Sequence, residues 1–303
     1  MSLISFVMPS YKSAYLEKAI ESILLQTVPD WELIVVDDCS PEDLATIVGK
    51  YQDDRIRYIR NDANIGGRDL VAQWNHSISF AKGDWIVLAA DDDEYAPEFL
   101  EKVQELITKY PKVDLIRSRV EQIDENDHHL YDDGIFSEHS TKEEYLHDWL
   151  TGKAFTCIGN YVFRRTALEE IGGFADYPCG FGSDIETPVR LSVNGVANTS
   201  DMLFRFRQSS QHLSADKSRF PEKLSGITKL SAFLRGLDYQ ASGCDNKYLQ
   251  AKCVYDYFNL VIKYIPLKSL PNYLRHCELA TGSDIFMMIL RWLKGRLIKK
   301  YCK

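Results

Sequence analysis

The stretch GDWIVLAADDDEYAPEFL, residues 83–100, decides how this chain is read. An apolar run from Trp85 to Ala90 passes straight into Asp91, Asp92 and Asp93 before a proline and a helix-like pattern begin. A short apolar run bounded by turn residues reads as a buried strand. Three adjacent carboxylates at its end repel one another unless a cation holds them. Two readings follow: a solvated acidic turn, or an oxygen-rich site suited to Mg2+ or Mn2+ bound together with substrate phosphates.

Working outward, the segments on the N-terminal side repeat the same plan. LISFVM (3–8), WELIVVDD (31–38) and IRYIR (56–60) are strand-like. Between the first two, Leu16, Ala19, Ile20, Ile23 and Leu24 recur at helical spacing. Ser40 and Pro41 suit the N-cap and first position of a second helix. NIGG makes a turn, and residues 67–81 form a helix carrying Leu70, Trp74, Ile78 and Ala81 inward. Trp74 and Trp85 read as core. Strands separated by helices imply a parallel sheet with right-handed crossovers. In such sheets ligands bind at the carboxyl ends of strands, so Pro9 to Tyr11, Asp37 with Asp38, and Asp91 to Asp93 should converge on one edge.

On the C-terminal side, PEFLEKVQELITKYP reads as a helix, residues 114–124 as a strand, and residues 125–155 as polar, with DENDHHLYDDG a surface excursion. CIGNYVFRR (157–165) returns to the sheet, ALEEIGGF forms a short helix, and residues 183–195 form a helix capped by Ser183 or Asp184. DMLFRFR is a last strand, and beyond Ser214 the pattern is wholly helical. The expected organisation is an α/β unit over 1–214 and a helical region over 215–303.

Composition excludes several classes. With 44 acidic against 36 basic residues and a formal charge of -8, broad wrapping of nucleic acid is not expected. Seven cysteines form no CxxC pair and no metal-ligand spacing, and they read as reduced thiols of a cytoplasmic protein. MSLISFVMPS lacks the pattern of a secretory signal, and no run approaches the ~20 apolar residues of a bilayer span. His128 and His129 have no third metal ligand at useful spacing and read as a solvated loop. The segment from Arg291 to Lys303 holds six basic and no acidic residues. Together with Ile285, Phe286, Met288, Ile289, Trp292 and Leu293, it has the composition of an interfacial membrane helix or of a helix packing its apolar face on the rest of the chain. Peripheral membrane contact through residues 285–303, a lipid-linked acceptor and a homodimer are the partners left open.

Taken together, FVMPSYKSAYLEKAIESILLQTVPDWELIVVDDCSPED, NIGG, AKGDWIVLAADDDEYAP, IGGF and GSDIE resemble a family 2 glycosyltransferase of the GT-A fold over roughly residues 1–214. The resemblance implies that Pro9, Ser10, Tyr11 and Asp38 hold the nucleoside, usually uridine, and that the Asp triplet stands for the DxD motif binding metal and donor diphosphate. The family pattern carries an Asp where this chain has Ala90. That departure assigns the metal to Asp92 or Asp93 and turns Asp91 toward the ribose. Asp184 aligns with the catalytic base, although Ser183 replaces the glutamate often found before it. Arg207 and His212 fall where basic groups stand near the diphosphate, with His212 a further metal ligand, and Arg68 is a phosphate or base contact.

The implied activity is Mn2+- or Mg2+-dependent transfer of a sugar, with inversion, from a nucleotide-sugar to a hydroxyl of a glycan or lipid-linked acceptor in polysaccharide or glycoconjugate synthesis. Two rivals remain at this stage. A nucleotidyltransferase would carry a glycine-rich phosphate loop after the first strand, and PSYKSAY has no glycine. A catalytically silent nucleotide-sugar- or glycan-binding module on the same fold is the other.

Overall fold

A computed structural model describes residues 2–209, 218–238, 246–261, 265–276, 282, 285–290 and 293. The first half alternates as the sequence implies: β1 (Ile4–Ser10), α1 (Leu16–Leu24), β2 (Trp31–Asp37), α2 (Leu44–Val48), β3 (Ile56–Arg60), α3 (Leu70–Ile78) and β4 (Trp85–Leu88). There follow β5 (Glu94–Tyr95), α4 (Phe99–Lys109), β6 (Leu115–Asp124), β7 (His129–Asp132), β8 (His139–Ser140) and α5 (Lys142–Leu150). The remaining elements are β9 (Tyr161–Arg164), α6 (Arg165–Glu170), α7 (Ser183–Leu191), β10 (Val196–Gln208), α8 (Phe220–Gly236), α9 (Asn246–Val261) and α10 (Leu270–His276).

β1 pairs in parallel with β2 and β4, and β2 pairs in parallel with β3. Strands of a sheet covered on both faces are apolar throughout rather than alternating. All seven residues of β2 are accordingly buried. Across the whole sheet the order is β3-β2-β1-β4-β9-β6-β10-β5. β9 runs antiparallel to both β4 and β6, while β6 and β10 are parallel. Hence β6 and β10 point the same way as β1 and β4, and their carboxyl ends share one edge. The acidic stretch crosses that edge: β4 ends at Leu88, and Glu94 and Tyr95 pair with Arg205 and Phe204 on β10.

Two local expectations need correction. α2 is capped by Asp43, whose carboxylate accepts the Thr46 N–H, and begins three residues beyond Pro41. Ser40 instead sits in the preceding turn and donates its hydroxyl to the Tyr11 carbonyl at 2.7 Å. α7 is preceded by Gly182 at φ 122° and has no side-chain cap from Ser183 or Asp184. Residues 125–155, polar in the sequence, also contain α5, closed by a Thr141–Glu144 capping box. Tyr145, Leu146, Trp149 and Leu150 of α5 are buried along one helical face that polar residues on the other sides obscure in the sequence.

Two apolar clusters flank the sheet. Phe6, Ile20, Trp31, Phe99 and Phe204 belong to one. In the other, Tyr145, Trp149, Tyr161 and Phe163 pack with Ile227, Leu230, Leu234, Tyr257 and Phe258, so the described C-terminal helices share the core of the sheet. Ser214, where the sequence suggested a boundary, lies outside the described residues. Near the chain end, Met288 is buried in this cluster, whereas Phe286, Met287, Leu290 and Leu293 are exposed; residues 294–303 lie outside the description. No helix among the described residues is long and apolar enough to cross a membrane.

Candidate active site

The carboxyl edge of the sheet is drawn together by hydrogen bonds to buried carboxylates. Asp91 accepts the main-chain N–H groups of Tyr11 (3.0 Å) and Lys12 (3.2 Å), tying the end of β4 to the exit of β1. Asp93 is almost fully buried and accepts the Arg207 N–H at 2.8 Å. Arg207 is wholly buried and donates Nε to the Asp92 carbonyl at 2.9 Å, with its remaining groups on the Asp124 carbonyl and the carboxylates of Glu94 and Asp127. Its guanidinium carbon lies 4.5 Å over the Tyr15 ring. Arg207 thus clasps the triplet from behind and has its donors committed to protein acceptors.

None of the described residues donates to the Asp92 carboxylate except its own N–H. Burial, and then the charge of Asp91, push the Asp92 carboxyl up to about 7. Burial and the charge of Asp92 push Asp93 well above the ordinary carboxylate range. Both shifts stand against the lowering influence of nearby positive charge, Lys12 and Arg207 for Asp92 and Arg207 for Asp93. No group of three or more His, Cys, Asp or Glu side chains among the described residues is arranged to hold a metal alone. The donor set fits a hard divalent ion that takes one or two carboxylates and completes its shell with phosphate oxygens and water.

At the end of β2, Asp37 is fully buried and accepts from Ser40 N (2.7 Å), Tyr58 Oη (2.5 Å) and the Arg60 guanidinium. Asp38 accepts from Asn61 Nδ2 (2.8 Å), Ile65 N (2.9 Å) and Gly66 N (2.7 Å), so both oxygens shape the loop before α3. A Cβ at Gly66 would stand 3.1 Å from Asp38 Oδ2, a contact that explains the glycine in NIGG. Ser10 is buried and donates to the Met8 carbonyl; Tyr11 and Arg68 are exposed. Pro9, Ser10, Tyr11, Asp38 and Arg68 lie outside the walls of the cavity described next.

That cavity, of about 800 Å3, opens at the carboxyl edge and brings Asp92 and Asp93 onto the same surface as Asp184. Asp184 stands in the first turn of α7. Gly182 permits the tight approach to that turn, since a Cβ there would meet the Tyr177 ring at 2.6 Å. Burial pushes the Asp184 carboxyl up to about 7, against the lowering effect of the N–H groups at the helix start. Cys157, also in the wall, has its thiol pushed up by burial and then by the charges of Asp93 and Asp184. Ser183, at the position of the expected glutamate, is buried and donates to the Ala175 carbonyl.

The far wall comes from residues the sequence did not single out, among them Trp149, Phe181, Lys223, Leu230 and Tyr257. Trp74, expected as plain core, lines the cavity as well. His212 lies outside the described residues. His128 is exposed and pairs with Asp124, away from the cavity.

A family model described as glycosyl transferase family 2 matches residues 5–172. WcaA of Escherichia coli, whose name assigns it to colanic acid biosynthesis as a glycosyl transferase, is 42% identical over 113 residues, covering 35% of this chain and 39% of that protein. TuaG of Bacillus subtilis, named for teichuronic acid biosynthesis, is 34% identical over 108 residues, covering 35% of this chain and 42% of its own. The matched part is thus about two fifths of the length of these curated relatives. The crystal structure of S. aureus TarS 1–349 in complex with UDP-GlcNAc superposes with a TM-score of 0.70 at 17% identity, over 90% of this chain and 79% of that one. The UDP complex of the same protein gives 0.67 over 95% of this chain and 81% of that one, also at 17% identity. At that identity the likeness shows the fold, a mostly parallel GT-A sheet with flanking helices.

Proposed function

This chain belongs to glycosyl transferase family 2, and from that premise we propose that it moves a sugar from a UDP-sugar to a hydroxyl of a polysaccharide or lipid-linked glycan, with a divalent cation and with inversion at the anomeric carbon. One observation carries the reading: Asp184 shares a single cavity with Asp92 and Asp93. The names of the relatives, assigned to colanic and teichuronic acid synthesis, and the UDP-GlcNAc bound by S. aureus TarS support the acceptor and donor classes.

Asp92, seconded by Asp93, would hold Mn2+ or Mg2+ against the donor diphosphate, where the ion supplies positive charge for the leaving group. Every other task falls to the chain itself. Asp184 takes the proton from the acceptor hydroxyl, and its carboxyl near 7 suits a base working near neutral pH. The acceptor oxygen bonds to the anomeric carbon while the bond from that carbon to the diphosphate oxygen breaks, its electron pair leaving on the nucleotide. With one carboxylate on the acceptor side, displacement is direct and the configuration inverts. The exposed Tyr11 ring stacks on the base and Arg68 reaches a phosphate or the base. Pro9, Ser10, Asp38 and Asp91 act by fixing the edge that the nucleoside lies on. Arg207 acts as a positioning residue, because its donors already serve Asp92, Glu94, Asp124 and Asp127.

Calorimetric titration of UDP, GDP and CDP with Mn2+ and with EDTA, on the wild type and on Asp92→Asn, tests this. UDP is expected to bind with Mn2+ and to lose roughly tenfold or more in affinity with EDTA or with the substitution, about 1.4 kcal/mol. UDP binding indifferent to both would remove the metal from the mechanism. If no nucleotide binds at all, the family fold here is a silent module.

A further inference from the structure

Exposed apolar side chains that stand singly in the chain are ordinary on a protein surface, and Leu25, Val193 and Met202 are of that kind. Residues 285–290 and 293, all helical, break the pattern. Phe286 is 60% exposed, Met287 43%, Leu290 42% and Leu293 44%, whereas Met288 among them is 1% exposed. Met288 belongs to the core cluster that contains Tyr257 and Phe258, and Ile289 packs against that cluster. At about 100° per residue, Phe286, Leu290 and Leu293 fall within roughly 60° of one another, and Met288 lies on the other side of the helix. One face therefore docks on the fold, and the other presents an apolar stripe to solvent.

The sequence beside the stripe carries one sign of charge. Arg291, Lys294, Arg296, Lys299, Lys300 and Lys303 fall within residues 291–303, with no Asp or Glu among them. Without these six, the 36 basic residues of the chain fall to 30 against 44 acidic. Two occupants would cover the apolar side chains. A second copy of this chain, meeting stripe to stripe about a two-fold axis, would bring both basic runs side by side, where they repel. An anionic bilayer instead takes apolar side chains at its headgroup boundary and attracts the cations next to them. Its field also orients the molecule, because the acidic remainder of the chain is repelled. With Met288 held in the core on the opposite face, the contact is with the membrane surface and does not cross it.

We propose that residues 285–303 are a docking surface for an anionic bilayer: Phe286, Met287, Leu290 and Leu293 enter the headgroup boundary while the basic residues from Arg291 to Lys303 pair with anionic headgroups. The inference stands on exposure, helical spacing and charge, and it does not depend on the reading of the cavity. Composition alone allows this segment to pack on the fold or to lie on a membrane. The two faces of the helix do both. Each signal by itself gives weak, reversible attachment, and stable attachment takes the two together.

The test is co-sedimentation of the full chain with vesicles, one set of phosphatidylcholine alone and one of phosphatidylcholine and phosphatidylglycerol in equal parts. The wild type should partition onto the anionic vesicles roughly tenfold or more above the neutral ones. That preference should shrink as salt is raised from ~0.1 M to ~1 M, where the screening length falls from about 10 Å to about 3 Å. Leu290→Glu sets a carboxylate in the stripe and should weaken partition onto the anionic vesicles roughly tenfold or more, and Phe286→Glu should repeat the effect one turn earlier. Both side chains are exposed, so melting temperatures should match that of the wild type. Lys299→Gln combined with Lys300→Gln should weaken binding to the anionic vesicles several-fold and leave binding to the neutral ones unchanged. A wild type that stays in the supernatant with both vesicles would overturn the proposal. So would binding that Leu290→Glu and Phe286→Glu both leave intact, which would reduce the contact to charge alone. A dimer in sedimentation equilibrium that Leu290→Glu dissociates, with no vesicle binding, would give the stripe to a second copy instead.

Discussion

The two sides of the site are built on opposite plans. On the side of the Asp triplet, the buried polar groups Asp37, Asp38, Asp91, Asp93 and Arg207 are satisfied by partners within the protein. Opposite it, Trp149, Phe181, Ile185, Leu230 and Tyr257 give the wall apolar surface, and among the described residues the Asp184 carboxyl has no side-chain partner. A network already paired needs no rearrangement when charge develops, and such preorganisation is where electrostatic stabilisation is most effective. A carboxyl left without a side-chain partner in low dielectric is instead free to bond whatever enters. The difference teaches which residues shape the site and which act on a ligand.

The largest expected effect comes from breaking the unpaired side. Asp184→Asn keeps the shape of the side chain and removes the base, so the transfer rate should fall by about 10²- to 10⁴-fold while UDP affinity is kept. The same substitution has a thermodynamic signature whose sign is fixed by the raised carboxyl. Burial lifts Asp184 in the folded chain to about 7, above its ordinary range, so folding favours the protonated form. That favourable contribution is full below the unfolded value and is lost as pH rises through about 7. Thermal melts should therefore show Asp184→Asn more stable than the wild type at pH 8, with the gap closing toward pH 4. A lower melting temperature at pH 8 would show that some interaction of the charged carboxylate had been missed.

Breaking the paired side should act on stability before chemistry. Arg207→Met retains much of the stem volume and strips Glu94 and Asp127 of their shared cation. Removing one partner from a buried charge network costs about 3 to 5 kcal/mol, to be read from urea unfolding. UDP binding should weaken with it, since Asp92 and Asp93 lose the clasp behind them. A loss below ~1 kcal/mol would mean that the guanidinium is a ligand group held in reserve and that the two sides differ less than their hydrogen bonds suggest.

How much of this was legible in the sequence follows the same division. β1, β2 and β4 are short apolar runs, each ending in a polar cluster, and α1 repeats its apolar residues at helical spacing. Local patterns of that kind survive without knowledge of the fold, and they led to the convergence of Asp37, Asp38 and the triplet on one edge. The clasp was hidden because Arg207 meets Glu94 and Asp127 across 113 and 80 residues, and no local pattern records such a distance. Trp149 was lost in a segment that reads as polar. Tyr257 lies in NKYLQAKCVYDYFNLV, where aromatic residues occur around the whole helix and nothing marks which of them faces a cavity. The cap of α2 failed for a smaller reason: Ser40 and Asp43 are both good caps, and only the turn that gives Ser40 to Tyr11 chooses between them.

The smallest expected effect asks whether the paired side is redundant. Tyr58 donates to Asp37 Oδ2 at 2.5 Å, and Asp37 also accepts from Ser40 N and Arg60. Tyr58→Phe removes one of three donors to a buried carboxylate and leaves the other two in place. A hydrogen bond to a charged group contributes about 1.5 kcal/mol or somewhat more, so unfolding should become easier by that amount, with UDP affinity changed less than about twofold, under 0.5 kcal/mol. Such a result fits an edge whose geometry is over-determined, where each donor adds stability and none alone sets the site. A several-fold loss of UDP affinity at the same modest cost in stability would have the opposite meaning. Asp37 would then transmit its position to the nucleoside through Ser40 and the Tyr11 carbonyl, and the network on the triplet side would be a chain in which every link is needed.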